Sequence, residues 1–180
     1  ASDGTNITTQ NITVNVTNVN DNSPVFTSDT TFSVAENQTS IGTVTATDGD
    51  VSDTVIFTVS GSEFVITSGG VLTFASAPDY ETKTSYTGTV TASDGTNITT
   101  QNITVNVTNL NDNSPVFTSD TIFSVEENER TVGTILVVDA DAERDSDNTL
   151  DFEVSGTDFI ISKTGYLSAF LRFALSPDYE

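Results

Sequence analysis

Apolar residues recur at every second position through most of this chain. In "NITVNVT" Ile103, Val105 and Val107 fall on one side and Asn102, Thr104, Asn106 and Thr108 on the other. Successive side chains of a strand point to opposite faces, so this pattern predicts a strand with one buried and one wet face. The same alternation runs through Phe32 and Val34, Val44 and Ala46, Phe57 and Val59, Phe64 and Ile66, Leu72 and Phe74, and Tyr86, Gly88 and Val90. Seven short Thr- and Val-rich strands are predicted, separated by Gly, Ser, Asp and Pro, and no stretch shows the 3.6-residue spacing of a helix. Seven alternating strands in roughly 90 residues predict an all-β fold, an antiparallel Greek-key sandwich of the immunoglobulin-like kind, with its core between two sheets.

The pattern repeats. Ser2 to Val34 align with Ser93 to Val125 at an offset of 91 positions, and only Val19 with Leu110 and Thr31 with Ile122 differ. The match continues beyond, with insertions: "DGDVSDTVIFTVSG" aligns with "DADAERDSDNTLDFEVSG", and "GVLTFASAPDYE" with "GYLSAFLRFALSPDYE". A near-identical copy at fixed period is the signature of a tandem array. The expected organisation is residues 1–22 as the last strand of a preceding repeat with its linker, 23–113 as a complete repeat, and 114–180 as a repeat lacking its final strands.

Composition narrows the chemistry. The chain has no Cys, His, Met or Trp, which excludes thiolate and imidazole metal sites, Ser-His or Cys-His nucleophiles and disulfides. Five basic residues face 26 acidic ones, for a formal net charge of −21, a balance that repels nucleic acid and anionic lipid. No apolar run approaches the roughly 20 residues that cross a bilayer, so no membrane insertion is expected. Asn6, Asn11, Asn15, Asn37, Asn97, Asn102 and Asn106 begin N-x-[ST] triplets, the acceptor pattern of N-glycosylation; most fall on outward strand faces, where Asn and Thr also serve to keep a sheet wet, and this second reading is the expected one.

The acids are not scattered. In the complete copy they gather at strand ends: Glu36, Asp48 and Asp50, Asp79 and Glu81, Asp94, and Asp112. Strand ends in a sandwich lie at two poles, which places Glu36, Asp79, Glu81 and Asp112 at one and Asp48, Asp50 and Asp94 at the other. Two carboxylates about 4 Å apart repel by roughly 4 kcal/mol at an effective dielectric near 20, so such poles invite cations. Hard oxygen donors in flexible number suit calcium better than magnesium.

These stretches together resemble the cadherin repeat. "NVTNLNDNSPVF" resembles its interdomain motif DxNDNxP, "DGD" and "DAD" its DxD, "PDYE" its LDRE, "VAEN" and "VEEN" its early glutamate, and "ASDG" its AxDxG. The resemblance covers essentially the whole chain. It implies calcium at each junction, held from the lower pole by Glu36, Asp79, Glu81, Asp112, the Asn111 side chain and carbonyls near Leu110 and Asn113, and from the upper pole by Asp139 and Asp141. For the earlier joint it implies Asn20, Asp21 and Asn22 below, and Asp48, Asp50 and Asp94 above. For a later joint it implies Glu127, Asp178 and Glu180, while Asp3 is the counterpart of Asp94 in the first "ASDG". Two departures stand out: Asn18 and Asn109 replace the first acid of DxNDN, and the carbonyl-bearing Asn148 of the longer loop has no counterpart in "DGDVSDT". The short repeat, near-identical copies and Thr/Asn-rich strands resemble the giant surface proteins of bacteria.

The expected function is that of calcium-stiffened extracellular spacer or adhesion repeats of a large cell-surface protein, holding a distal domain away from a cell or linking cells in a biofilm. The expected partners are neighbouring repeats of the same or like chains, with a cell-surface or matrix ligand bound through other domains. Two alternatives stay open. Direct homophilic adhesion would use the repeats themselves, although the tryptophan exchanged in the best-known form of it is absent; head-to-tail strand donation from residues 1 to 20 would build a filament. Paired carboxylates also serve glycosidases, but here they recur with the repeat, as catalytic pairs have no reason to do, and no enzyme is expected.

Overall fold

A computed structural model describes residues 1–50, 53–141, 150–165 and 167–178. The chain divides into two compact units, Ala1–Asp79 with Lys83–Thr108, and Tyr80–Thr82 with Asn109–Glu180.

In the first unit the predicted alternation becomes strands β1 (Val25–Phe26), β2 (Thr31–Ala35), β3 (Ser40–Thr43), β4 (Ala46–Thr47), β5 (Ile56–Val59), β6 (Phe64–Ile66), β7 (Val71–Phe74), β8 (Ser85–Ser93) and β9 (Ile98–Thr108). They form a four-stranded sheet in the order β2-β9-β8-β5, a three-stranded sheet β3-β7-β6 and a small pair β1-β4. The inward positions of the larger sheet (Val34, Phe57, Val90, Ala92, Ile103, Val105, Val107) and of the smaller one (Phe64, Leu72, Phe74) are buried and form the core. Phe64 stacks on Phe74 at 5.4 Å, and Tyr86 meets Phe74 edge-on at 4.9 Å, the geometry that aromatic quadrupoles favour. On the outward face Thr89 and Ser85 donate their hydroxyls to the side-chain carbonyls of Asn102 and Asn106.

Several features depart from the sequence reading. The sheet is not wholly antiparallel, because β2 runs parallel to β9, with Phe32 beside Val105 and Val34 beside Val107. These two strands are far apart in the chain and need no hairpin to join them. Secondly, the strand expected over Val44 and Ala46 is broken. β3 ends at Thr43 and β4 begins at Ala46, while Val44 drops into the core and donates its N–H to the Gly70 carbonyl at 2.8 Å. Gly70 has φ +89°, and a Cβ there would lie 2.1 Å from the Val44 oxygen, so only glycine fits. The two-residue strand β1 was not expected at all.

The third departure concerns pairing. Residues 7–17 have the same sequence as β9, yet beyond a single bridge between Ser2 and Ile7 they form no strand, and Val16 is 93 % exposed. In the first unit β9 is held between β2 and β8. Among the described residues no strand lies beside the identical segment. The second unit shows the converse. Strands β10 (Val116–Phe117), β11 (Thr131–Val138), β12 (Phe159–Gly165) and β13 (Ser168–Phe173) form one sheet, β10-β11-β13-β12. Phe123 with Val125, and Phe152 with Val154, match β2 and β5 in sequence but lie outside any strand. Their counterparts in the first unit pair with β9 and β8, which have no equivalents among the described residues of the second.

Truncating Leu72, fully buried between the sheets, should cost about 2–5 kcal/mol of the first unit's stability in a denaturant titration. Gly70→Ala should also shift the unfolding midpoint well below that of the parent, because the added methyl meets backbone rather than a movable side chain; an unchanged midpoint would show that the Val44 contact is dispensable.

Candidate metal centre

One local device sets the early glutamate. After β2 the chain turns through Asn37 at φ 64°, a left-handed conformation that asparagine tolerates better than most residues. The Asn37 N–H donates to the Pro78 carbonyl at 3.0 Å, and the Glu36 N–H to the Thr108 carbonyl at 3.1 Å. The turn is thereby tied to the "PDYE" segment and to the end of β9. Glu36 is left only 2 % exposed, and its carboxylate and that of Asp79 offer oxygens within 4.8 Å of each other. The second unit repeats the device: Asn128 has φ 67° and donates to the Pro177 carbonyl at 2.9 Å. Glu127 and Asp178 flank that bond, both exposed. Glu180 and Asn148 lie outside the described residues.

A second device joins the "NDN" loop to the DxD loop. In the first unit the Asn22 backbone N–H and side-chain amide donate to the two oxygens of Asp50, both at 2.8 Å, and the Asp21 N–H adds a bond at 3.0 Å. Asp48 accepts the Asp50 N–H at 2.9 Å. The same clamp recurs in the second unit, where Asn113 donates to Asp141 from its backbone at 2.6 Å and its amide at 2.9 Å, and Asp139 accepts the Asp141 N–H at 3.2 Å. The second aspartate of each DxD is therefore the anchor of the preceding loop, 8 % exposed at Asp50 and 4 % at Asp141.

Asp94 closes the β8–β9 hairpin, accepting the N–H groups of Thr96 and Asn97 at 2.7 and 2.6 Å. Asn97 was noted in the sequence only as the start of a sequon, yet its amide reaches the Asn20 side chain at 3.0 Å and the Asn22 carbonyl at 2.7 Å. The hairpin and the "NDN" loop are thus stitched together. Asp3 and Asn6 build the same turn at the first "ASDG". The repeated Asp-Gly-Thr-Asn spacing was the signal that could have identified Asn97.

In the second unit Glu81, Asp112 and Asp141 bring one oxygen each within 4.8 Å of one another. Leu110 and Asn111 lie on the same loop, between β9 and the clamp. Asn109 donates its amide to the Asp141 carbonyl at 3.1 Å, and its own side-chain oxygen is buried without a partner.

The electrostatics follow from these bonds. Asp50 is held below the usual carboxylate range chiefly by the Asn22 backbone amide and then by its side chain. Burial pushes Asp94 up, but donors from Asn97 and Thr96 outweigh it, and the net direction is down. Asp141 balances in the same way, burial against the two Asn113 donors. Asp3, held by the Asn6 and Thr5 amides, falls to about 2. Asp53 moves the other way, raised by burial and then by the charges of Asp50, Asp48 and Asp94. The sequence reading passed over Asp53, because it lies outside the DxD triplet.

The donor set fits a hard divalent cation. It consists of carboxylate and amide oxygens, and fully buried oxygens of Asp48, Asp53 and Asn109 have no hydrogen-bond donor. A buried oxygen left unpaired is costly, and a calcium ion takes six to eight such ligands.

No protein-family model matches the chain. Among curated proteins it is 37 % identical over 148 residues to human cadherin EGF LAG seven-pass G-type receptor 2, a match that takes in 75 % of this chain and 5 % of that protein. Among solved structures it resembles the protocadherin gammaB4 extracellular domain, with a TM-score of 0.71 and 27 % identity over 91 % of this chain and 28 % of that one. It also resembles the human desmocollin-1 ectodomain, with a TM-score of 0.68 and 27 % identity over 89 % of this chain and 35 % of that one. The chain thus spans a small part of the curated relatives it matches. Motif order, sandwich fold and these likenesses agree that the chain belongs to the cadherin family, as a tandem of its extracellular β-sandwich repeats.

Proposed function

We propose that the chain is a calcium-dependent spacer and adhesion segment of a large cell-surface protein. The observation that carries this reading is the convergence of Glu81, Asp112 and Asp141 within 4.8 Å, with Asp141 buried, on a chain whose bases are too few to neutralise its acids. In the second unit calcium would be held by these three with Asp139 and oxygens of Asn111, Asn113 and Leu110; in the first unit Glu36 and Asp79 offer a paired carboxylate site of their own. The other end of that unit would use Asn20, Asn22, Asp48, Asp50 and Asp94. Glu127, Asp178 and Glu180 would serve a following repeat.

What the ion supplies is positive charge where carboxylates would otherwise repel. The protein's own contribution is to place the oxygens: the asparagine clamps fix Asp50 and Asp141, and with them the loops that carry the neighbouring acids. Successive repeats are then stiff with calcium and loosely hinged without it, which suits a stalk that holds a partner domain away from a surface. Neighbouring repeats, in the same or a like chain, are the partners this reading names.

Calorimetric titration of calcium into EDTA-treated protein should show binding at roughly 0.1 to 1 mM, the range of extracellular modules. Each site occupied at 10 to 100 times its Kd should add about 1.4–2.7 kcal/mol to stability, visible as a higher melting temperature. Small-angle scattering should report a longer, stiffer particle with calcium than in EDTA, and identical curves and melting temperatures in the two conditions would refute the reading. Glu81→Gln, which keeps the shape and removes one charge from the cluster, should weaken calcium binding about tenfold or more with the fold intact in EDTA.

A further inference from the structure

We propose that Asn102 and Asn106, on the outward face of β9, are N-glycosylation sites, and that Asn97, which begins the same N-x-[ST] pattern, is not. The acceptor atom in this modification is the side-chain amide nitrogen, Nδ2. It attacks the anomeric carbon of a lipid-linked glycosyl diphosphate, a co-substrate of the secretory pathway through which extracellular repeats pass. A nitrogen–carbon bond forms, the anomeric carbon–oxygen bond breaks, and the diphosphate leaves with the electron pair as the amide gives up one proton. A glycosylated asparagine therefore keeps its side-chain carbonyl and one N–H.

Hydrogen bonding separates the three residues on that basis. Asn102 and Asn106 are exposed, and their side-chain carbonyls accept the hydroxyls of Thr89 at 2.9 Å and Ser85 at 3.1 Å. Among the described residues nothing accepts a bond from either Nδ2. A glycan at these two nitrogens breaks no bond of the fold and leaves the held carbonyls in place. Asn97 is the opposite case: it is half-buried, and its Nδ2 reaches Asn20 Oδ1 at 3.0 Å, the Asn22 carbonyl at 2.7 Å and Asp94 Oδ2 at 3.3 Å. Its two N–H groups already serve three acceptors. Exchanging one of them for a sugar would open the stitch between the hairpin and the "NDN" loop.

The surroundings of Asn102 and Asn106 leave room for a sugar. β9 is an inner strand of its sheet, with Asn106 between Ser33 and Ser85 and Asn102 opposite Thr89, all small side chains. The four strands of this sheet contain no Asp, Glu, Lys or Arg, in a chain with 26 acids. Copies of the chain repel one another through those acids, but nothing electrostatic keeps this face apart. Two glycans, about 13 Å apart along β9, supply there the bulk and hydration that charge supplies elsewhere.

The test is secretion of the 180-residue protein from a eukaryotic line that N-glycosylates. Enzymatic deglycosylation in heavy-oxygen water then turns each formerly glycosylated asparagine into a heavy aspartate, which mass spectrometry locates. Asn102 and Asn106 should carry the label in most molecules and Asn97 in none. Asn102→Gln and Asn106→Gln should each remove one glycan and leave the melting temperature of the deglycosylated protein unchanged. Asn97→Gln should remove none and lower that temperature, because the longer side chain cannot keep the three bonds. Absence of label at either Asn102 or Asn106, while another secreted glycoprotein of the same cells is modified, would overturn the proposal. So would label at Asn97 in protein that melts like the parent, since hydrogen bonding would then not select the acceptor. The calcium reading stands in either case.

Discussion

Repulsion between carboxylates gathered at strand ends is the constraint around which this chain is organised. A two-layer sandwich has no interior large enough for charge, so its core takes only the apolar members of each alternating strand. The acids are left to the loops, and the loops of a sandwich collect at its ends. With one Lys and no Arg in the first unit, almost nothing within that unit neutralises them. The backbone and asparagine amides take up part of the burden, most visibly at Asp50 and Asp141, where one side chain and one N–H bind the same carboxylate from two directions.

That division of labour separates the two aspartates of each DxD. The second is an anchor, buried and fully hydrogen-bonded, that fixes where the "NDN" loop lies. The first, Asp48 or Asp139, gives one oxygen to the local turn, and at Asp48 the other oxygen stays buried without a donor. One acid thus places the loop rigidly and fixes the position of the other, a preorganisation that would lower the entropy lost on binding under the proposed function. The early glutamate is treated the same way: a left-handed asparagine and a bond to the proline carbonyl hold Glu36 beside Asp79.

Much of this was legible without coordinates. Period-two alternation located β2, β5, β6, β7, β8 and β9, since side-chain direction in a strand is set by the backbone alone. The order of the acidic motifs identified the family, and Glu81, Asp112 and Asp141 do come together. Asp53, outside every motif, was not legible, and Asn97, read only as the start of an N-x-[ST] triplet, owes its bonds to Asn20 and Asn22 to loops that meet across many residues of chain. Nor was the break at Val44, which exists because Gly70 lets another backbone segment approach to hydrogen-bonding distance.

The clearest division between sequence and structure lies in residues 7–17 and Ile98–Thr108, which are identical. Sequence alone determined that both can be strands, that the apolar face of each is the odd or even set, and that the acids fall at the ends. Only tertiary structure decided how such a strand is paired, because its backbone groups and apolar face are satisfied by neighbours, and at β9 those neighbours are β8, antiparallel, and β2, parallel.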